Sequence, residues 1–435
     1  MATSIVSIVI FSLFIFSSSS NAKSSRKPEA FTFPIKKDDS TNQYYTNIQI
    51  GSNSTKFSVV IDLGGKLLYF NSINYSTASY RPVLCGTPQC SISSGGGCMF
   101  CVFSPPDTPC TNNTCTDYAL NPFSGTRGCS PLGQDSLLVR YARGAHRYYT
   151  TVDNFPFQFS DPVLREGLAG PAAGLIGLGR TRISLPAQIA SAFGVRQRFA
   201  LCLPPAGGDG NLIVGETTYS NPLEGISKSS LFTTPLIRNR VSTFGNEVIG
   251  NLTHEYFIDV KSVRVGSKTL SLNKTLLSIN KKDGSGGTSI RTVRAYTGLH
   301  RSIYMALIDE FVKAAASQNI KRVASVAPFG ACFGSKTVTS SKTGPQVPTI
   351  DFVLHKKSVY WRFYGANSMV RVSDEVICLA FVEGATNLVG PTTSIEVGGY
   401  QMENYLLEFD VASSKLGFSS SLLLHDTSCS KFGAS

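Results

Sequence analysis

The sequence predicts a mostly β protein built as two lobes. The first observation is the run Phe57-Ser58-Val59-Val60-Ile61, an apolar β-rich stretch that reads as a buried strand and ends in Asp62-Leu63-Gly64-Gly65. Glycines let the backbone turn tightly there, which leaves one carboxylate where the chain exits the core. The second is an internal repeat. Tyr44-Tyr45-Thr46-Asn47-Ile48-Gln49-Ile50-Gly51 precedes Asp62, and Tyr256 to Gly266 has the same character: an aromatic pair, alternating strand residues, then glycine. Gly286-Gly287-Thr288-Ser289-Ile290-Arg291-Thr292-Val293 follows, so Arg291 falls where Asp62 falls in the first copy. The third is size. A chain of 435 residues with 42% hydrophobic and 16% charged residues fills two ordinary domains and buries a large core.

Residues 1–22 read as a signal peptide: Ile5 to Phe16 is an apolar stretch too short to span a bilayer, and Ser20-Asn21-Ala22 is a small-residue cleavage site. The stretch before it carries no Lys or Arg. No other apolar run reaches membrane-spanning length, so a secreted protein without a membrane partner is expected. Five sequons agree with secretion, at Asn53, Asn74, Asn112, Asn251 and Asn273. So do eleven cysteines, which imply disulfides in an oxidising compartment. The formal charge is +12, but the basic residues are dispersed. An anionic wall polysaccharide or an acidic protein is a better partner for such a surface than nucleic acid.

In chain order, residues 23–40 are polar and strands run to about Phe70. The segment 85–129 holds seven of the cysteines and is rich in Gly, Pro, Ser and Asn, which predicts a stapled loop rather than a sheet. Cys98-Met99-Phe100-Cys101 has metal-site spacing, but no second such pair or paired His follows, so no metal or cofactor is expected. The odd count leaves one cysteine as a thiol or in an intermolecular bridge, and the extra one is Cys129. Strand alternation returns from Leu137 to Phe159. Gly174 to Gly179 is a glycine-rich turn without the G-K-[ST] of a phosphate loop. Ser184 caps a short helix, Leu185 to Phe193, with Pro186 in its first turn. The aperiodic stretch Thr217 to Ser230 is the lobe boundary, giving an N-terminal lobe over 23–225 and a C-terminal lobe over 226–435. In the second, Ile303, Leu307 and Phe311 form the stripe of a helix over about Ser302 to Ser317, a core-packing stripe.

Longer stretches carry a resemblance. Asp62-Leu63-Gly64-Gly65, Tyr80 to Cys85, Gly177 to Pro186, Arg322 to Phe333, Gly398 to Asn404 and Leu416 to Ser420 match in order. They resemble the plant pepsin-like proteins of the inactive branch, which contains extracellular dermal glycoprotein, basic 7S globulin and the xylanase and xyloglucanase inhibitor proteins. The resemblance implies a bilobal pepsin-like fold with a central cleft and a few short helices, its lobes xylanase-inhibitor N-like and C-like. Active members carry D-[ST]-G in each lobe. Here the first reads Asp62-Leu63-Gly64 and the second Arg291-Thr292-Val293. Two carboxylates sharing one proton are needed to activate water and to donate. With Arg291 opposite, Asp62 is expected to stay ionised, a vestige hydrogen-bonded in its turn, and no catalytic residue is assigned.

The resemblance also implies Cys332–Cys378 and Cys202–Cys429 bridges, with Cys85, Cys90, Cys98, Cys101, Cys110 and Cys115 pairing locally in an order that stays open. The family has a cysteine where Asn71 stands and another where Asp161 stands, which fits the loss of one bridge. Inhibitors of family-12 endoglucanases in this group present two arginines to the acidic site of their target. Arg322 matches one, with Lys321 beside it; the loop Asn387 to Thr392 holds no arginine in place of the other. The expected function is inhibition of secreted microbial cell-wall glycoside hydrolases, which hold two carboxylates across their cleft. The alternative is a storage or binding globulin without inhibitory activity. A peptidase using another dyad is disfavoured, because neither G-x-S-x-G nor H-E-x-x-H occurs.

Overall fold

In the computed structural model, residues 28–431 are described except 72, 74, 94–96, 100–112, 144–145, 217–229, 242–252 and 385–392. The signal-peptide stretch, most of the expected lobe boundary and the loop Asn387 to Thr392 lie outside the described residues.

Strand Tyr44–Ile50 alternates buried and open positions, as a strand with one face on the core must. It runs antiparallel to Thr55–Asp62. That strand runs parallel to Ala172–Gly177, which is antiparallel to Leu68–Phe70, itself parallel to His146–Phe159. The last four residues of Thr55–Asp62 are buried on both faces, which explains why alternation gives way to the unbroken apolar run at Val59-Val60-Ile61.

The second half repeats the arrangement strand for strand. Tyr256–Ile258 is antiparallel to Thr288–Ile290, which is parallel to Ile395–Val397, antiparallel in turn to Thr297–Leu299, itself parallel to Phe381–Glu383. The order and senses are the same, so Asp62 at the end of one strand and Arg291 just past the end of the other are equivalent positions. A six-stranded antiparallel sheet joins the halves: Ala30–Lys37, Asp209–Gly215, Arg198–Cys202, Leu406–Asp410, Lys415–Phe418 and Phe232–Ile237. Its middle pair sets Ala200 opposite Glu408. Above it Phe199 stacks on Phe409 at 4.8 Å, and Tyr256 packs against Phe409 at the same distance, closing one apolar core through both halves. The fold is mostly β and pepsin-like in layout, as the sequence predicts.

Three local expectations are corrected. The segment 85–129 is not only a loop: Thr114–Leu120 is a strand paired with Arg127–Arg143, and Cys129 lies in that pairing opposite Tyr118. Its polar and small residues hid the strand because Thr114, Thr116 and Asp117 are buried polar groups rather than an apolar face. The long strand therefore begins at Arg127, ten residues before the alternation becomes visible. The helix Leu185–Phe193 is present, but the Ser184 hydroxyl donates to the Thr181 carbonyl instead of capping the helix. The long helix is Arg301–Ser317, and its first turn is capped by His300, whose ring nitrogen accepts from the Ser302 amide.

Candidate functional site

The two equivalent turns meet. Thr292, next to Arg291, donates its hydroxyl to the Ile61 carbonyl at 2.6 Å and accepts from the Leu63 amide at 3.1 Å. The tie is one-sided, because Leu63, fully buried, has no hydroxyl to return it. Asp62 accepts from the Gly64 amide at 2.8 Å, as a carboxylate settled in its own turn does. Burial, the largest influence, pushes its carboxyl upward from the usual range; the Gly64 amide, the Arg291 cation and the Gly65 amide oppose this. The expectation that Arg291 simply holds Asp62 ionised is corrected to this extent.

Arg291 is buried and held by two glutamates, Glu255 just before the strand Tyr256–Ile258 and Glu396 within Ile395–Val397. It pairs with Glu255 and, at 3.2 Å, with Glu396. Arg294 reaches the other oxygen of Glu396 at 2.9 Å. Glu255 also accepts from the Thr253 hydroxyl at 3.0 Å. Burial lowers the Arg291 guanidinium, and Glu396 and Asp62 raise it again. The result is a knot of three carboxylates and two arginines at the centre of the fold. A buried cation of this kind persists only when paired and hydrogen-bonded.

Little room remains in front of Asp62. A cavity of about 50 Å³ is lined by Asp62, Gly64, Lys66, Tyr69, Tyr118 and Glu255 among others. Lys66 spans toward the insert and pairs with Asp117 at 2.5 Å. A cavity that size holds a water molecule or two. Glu255 brings a second carboxylate to the cavity, but it accepts from a guanidinium and a hydroxyl. That is the role of an anion and not of a proton donor.

Arg322 and Lys321 lie elsewhere, exposed at the foot of the loop 324–331. Arg322 sits opposite Phe333 in a short antiparallel pair and gives one hydrogen bond, to the Gly330 carbonyl at 3.3 Å. The loop is fixed at its base. Ser325 donates to Gly330, the Gly330 amide donates to Tyr304, Phe329 packs edge-on against Tyr296, and Cys332 bonds Cys378. Val326 at its tip stays open to solvent.

Cys332–Cys378 and Cys202–Cys429 pair as implied, and Cys90–Cys115 supplies one of the local bridges. Cys85 is also disulfide-bonded; Cys101 and Cys110 lie outside the described residues, and of Cys98 only the backbone is described. Cys129 carries a thiol. Asn53 and Asn273 are exposed, while Asn74, Asn112 and Asn251 lie outside the described residues. Asn71 follows the Phe70–Phe159 register pair and Ser160 donates its amide to Phe70, so the two positions implied to have lost a bridge adjoin. No cluster that could hold a metal ion occurs among the described residues.

The comparisons match this architecture. Residues 44–216 match the xylanase inhibitor N-terminal family and residues 255–420 the xylanase inhibitor C-terminal family. A protein of Nicotiana benthamiana named probable aspartic proteinase GIP2 is 43% identical over 97% of this chain and 95% of its own. The chain belongs to this plant pepsin-like family of xylanase-inhibitor-type proteins. Gamma conglutin 1 of Prunus dulcis is 34% identical over 93% of this chain and 90% of its own. Among solved structures, edgp matches with a TM-score of 0.88 and 42% identity over 93% of this chain and 98% of that one. Soybean basic 7S globulin matches at 0.77 and 29% over 94% and 100%. Within the family, Asp62, Arg291 and Arg322 are legible from sequence; Glu255, Glu396, Arg294 and Thr292 are not. The available signal was a charged residue inside apolar strand sequence, as in Ile395-Glu396-Val397 and before Tyr256-Phe257.

Proposed function

We propose that this is a secreted, proteolytically silent pepsin-like protein that binds and inhibits microbial cell-wall glycoside hydrolases through the Arg322 surface. The observation that carries the reading is Arg322 itself. It is an exposed guanidinium with a single weak hydrogen bond and no ion-pair partner among the described residues, beside a loop braced by a disulfide. A glycosidase cleft presents two carboxylates, and a guanidinium pairs bidentately with one of them. A rigid loop lowers the ordering cost of such a contact. Silence as a peptidase is supported by Arg291 at the position equivalent to Asp62. Secretion is supported by the apolar leader, the sequons and the disulfides. The gap between the two family matches, residues 217–254, supports a lobe division near 217–230. The charge of +12 also suits an anionic wall polysaccharide as a second partner.

One observation favours the globulin alternative: the loop Asn387 to Thr392 carries no arginine. A single guanidinium meets only one half of a carboxylate pair, so inhibition of family-12 xyloglucan-cleaving endoglucanases is expected to be weak or absent. Assay of a panel of secreted microbial endoglucanases and xylanases against the purified protein tests the reading. Dose-dependent inhibition of at least one xylanase or endoglucanase is expected. Inhibition of none, with no enzyme retained on the immobilised protein, would leave the globulin reading standing.

A further inference from the structure

A second cavity, of about 640 Å³, lies beside the helix Leu185–Phe193 and away from Asp62 and Arg322. Arg180, Arg182 and Arg238 line it together with Gln89, Gln188 and Gln197. No Asp or Glu among the described residues lines it. Arg180 is the decisive group. All three nitrogens of its guanidinium are cut off from solvent and have no hydrogen-bond acceptor. Among the described residues its aromatic contact is the face of the Tyr256 ring, 5.1 Å away. Buried donors without acceptors are costly, and a buried cation without an anion more so. The backbone pins the residue in place, since the Arg180 amide donates to the His254 carbonyl at 2.8 Å. Burial lowers its guanidinium to about 10, with Arg238 adding to the fall and Tyr256 opposing it, so it remains a cation at neutral pH.

We infer that this cavity is a binding site for an organic oxoanion, a carboxylate carried on a sugar-sized body such as an oligouronide. The exposed guanidiniums of Arg182 and Arg238 supply the anion contacts, in the fork geometry that carboxylate and phosphate oxygens accept bidentately, and Arg180 adds an uncompensated positive charge behind them. The three glutamine amides supply donors and acceptors for hydroxyls. The volume decides against a bare ion: it lies in the range of sites for drug-sized ligands, and a free phosphate would leave most of it filled with water. The inference goes beyond the enzyme-binding reading and uses none of its residues. It gives a polyanionic wall polymer a specific place on a surface whose positive charge is otherwise dispersed.

Calorimetric titration of the full-length secreted protein tests it with three probes: a short oligogalacturonate, inorganic phosphate, and a neutral oligosaccharide of the same length. The oligogalacturonate is expected to bind, more weakly as salt rises, with phosphate competing at higher concentration and the neutral sugar silent. Arg182→Ala with Arg238→Ala, both exposed residues, should weaken binding roughly tenfold or more. Arg180→Gln should weaken it further, with circular dichroism confirming that the fold is kept. Arg322→Ala should leave it unchanged, which separates this site from the enzyme-binding surface. Phosphate binding without oligogalacturonate binding would overturn the acidic-sugar assignment. Binding by neither anion, or oligogalacturonate binding unaffected by the double variant, would overturn the site.

Discussion

Arg291 sets the electrostatics of the centre. Replacing it with Asp restores a pair of aspartates but places a fourth carboxylate among Asp62, Glu255 and Glu396, with Arg294 the remaining cation in the ion pairs among the described residues. Arg291→Asp is therefore expected to lose about 3–5 kcal/mol of stability, as removal of one partner from a buried ion pair does, measured by denaturant midpoint. Neither the wild type nor this variant should release peptides from denatured globin between acid and neutral pH. Pepstatin-sensitive cleavage by either one would contradict the account. Asp62 gives a pH signature. Its folded carboxyl titrates above the ordinary value of 3.8, so the native state binds the proton more tightly than the unfolded chain. Stability contributed by the protonated form is thus lost as pH rises through that window. Asp62→Asn removes the loss, and its melting temperature relative to wild type should increase between pH 3.5 and neutrality. A difference that stayed flat or shrank would mean that the Arg291 cation outweighs burial.

At the scale of elements, the tie between the two turns is a single threonine. Thr292→Val leaves the buried Leu63 amide without its acceptor and removes a bond to Ile61, at a cost of about 1–3 kcal/mol read by thermal melting. An unchanged melting temperature would show that the turns are held by packing alone. Elements also show where sequence reasoning reached and where it stopped. The strand ending at Asp62 was legible because burial on both faces demands an unbroken apolar run. The strand Thr114–Leu120 was not, because its buried residues Thr114, Thr116 and Asp117 are polar, and the Lys66 partner of Asp117 is one that no local pattern reveals. Glu255 and Glu396 escaped for the same reason. Glu255 precedes one apolar strand and Glu396 lies inside another, and the guanidinium partner of each is set by pairing between strands far apart in sequence. Thr292 was quoted as part of a turn, yet its reach across to Leu63 depends on the two lobes meeting.

At the scale of the molecule, the repeat seen as two aromatic pairs followed by strand and glycine became a twofold arrangement of five paired strands in each half. The six-stranded sheet joins them, and the Phe199–Phe409–Tyr256 packing runs through the junction. That much was foreseeable, since repeated sequence of this length has to bury equivalent faces. What the sequence did not disclose is the network of Glu255, Glu396 and Arg294 around Arg291. On the proposed reading, function lies on the outer surface, where Arg322 stands at the foot of a braced loop. The most direct test is titration of a responsive glycoside hydrolase with the wild-type protein, Arg322→Ala and Lys321→Ala. Arg322→Ala should weaken binding by about 2–5 kcal/mol through faster dissociation, because the partner carboxylates lose their counterion at a desolvated contact. Lys321→Ala should cost much less and mainly reduce the salt dependence of association. Tight inhibition that is unchanged by Arg322→Ala would contradict the account and place the binding surface elsewhere.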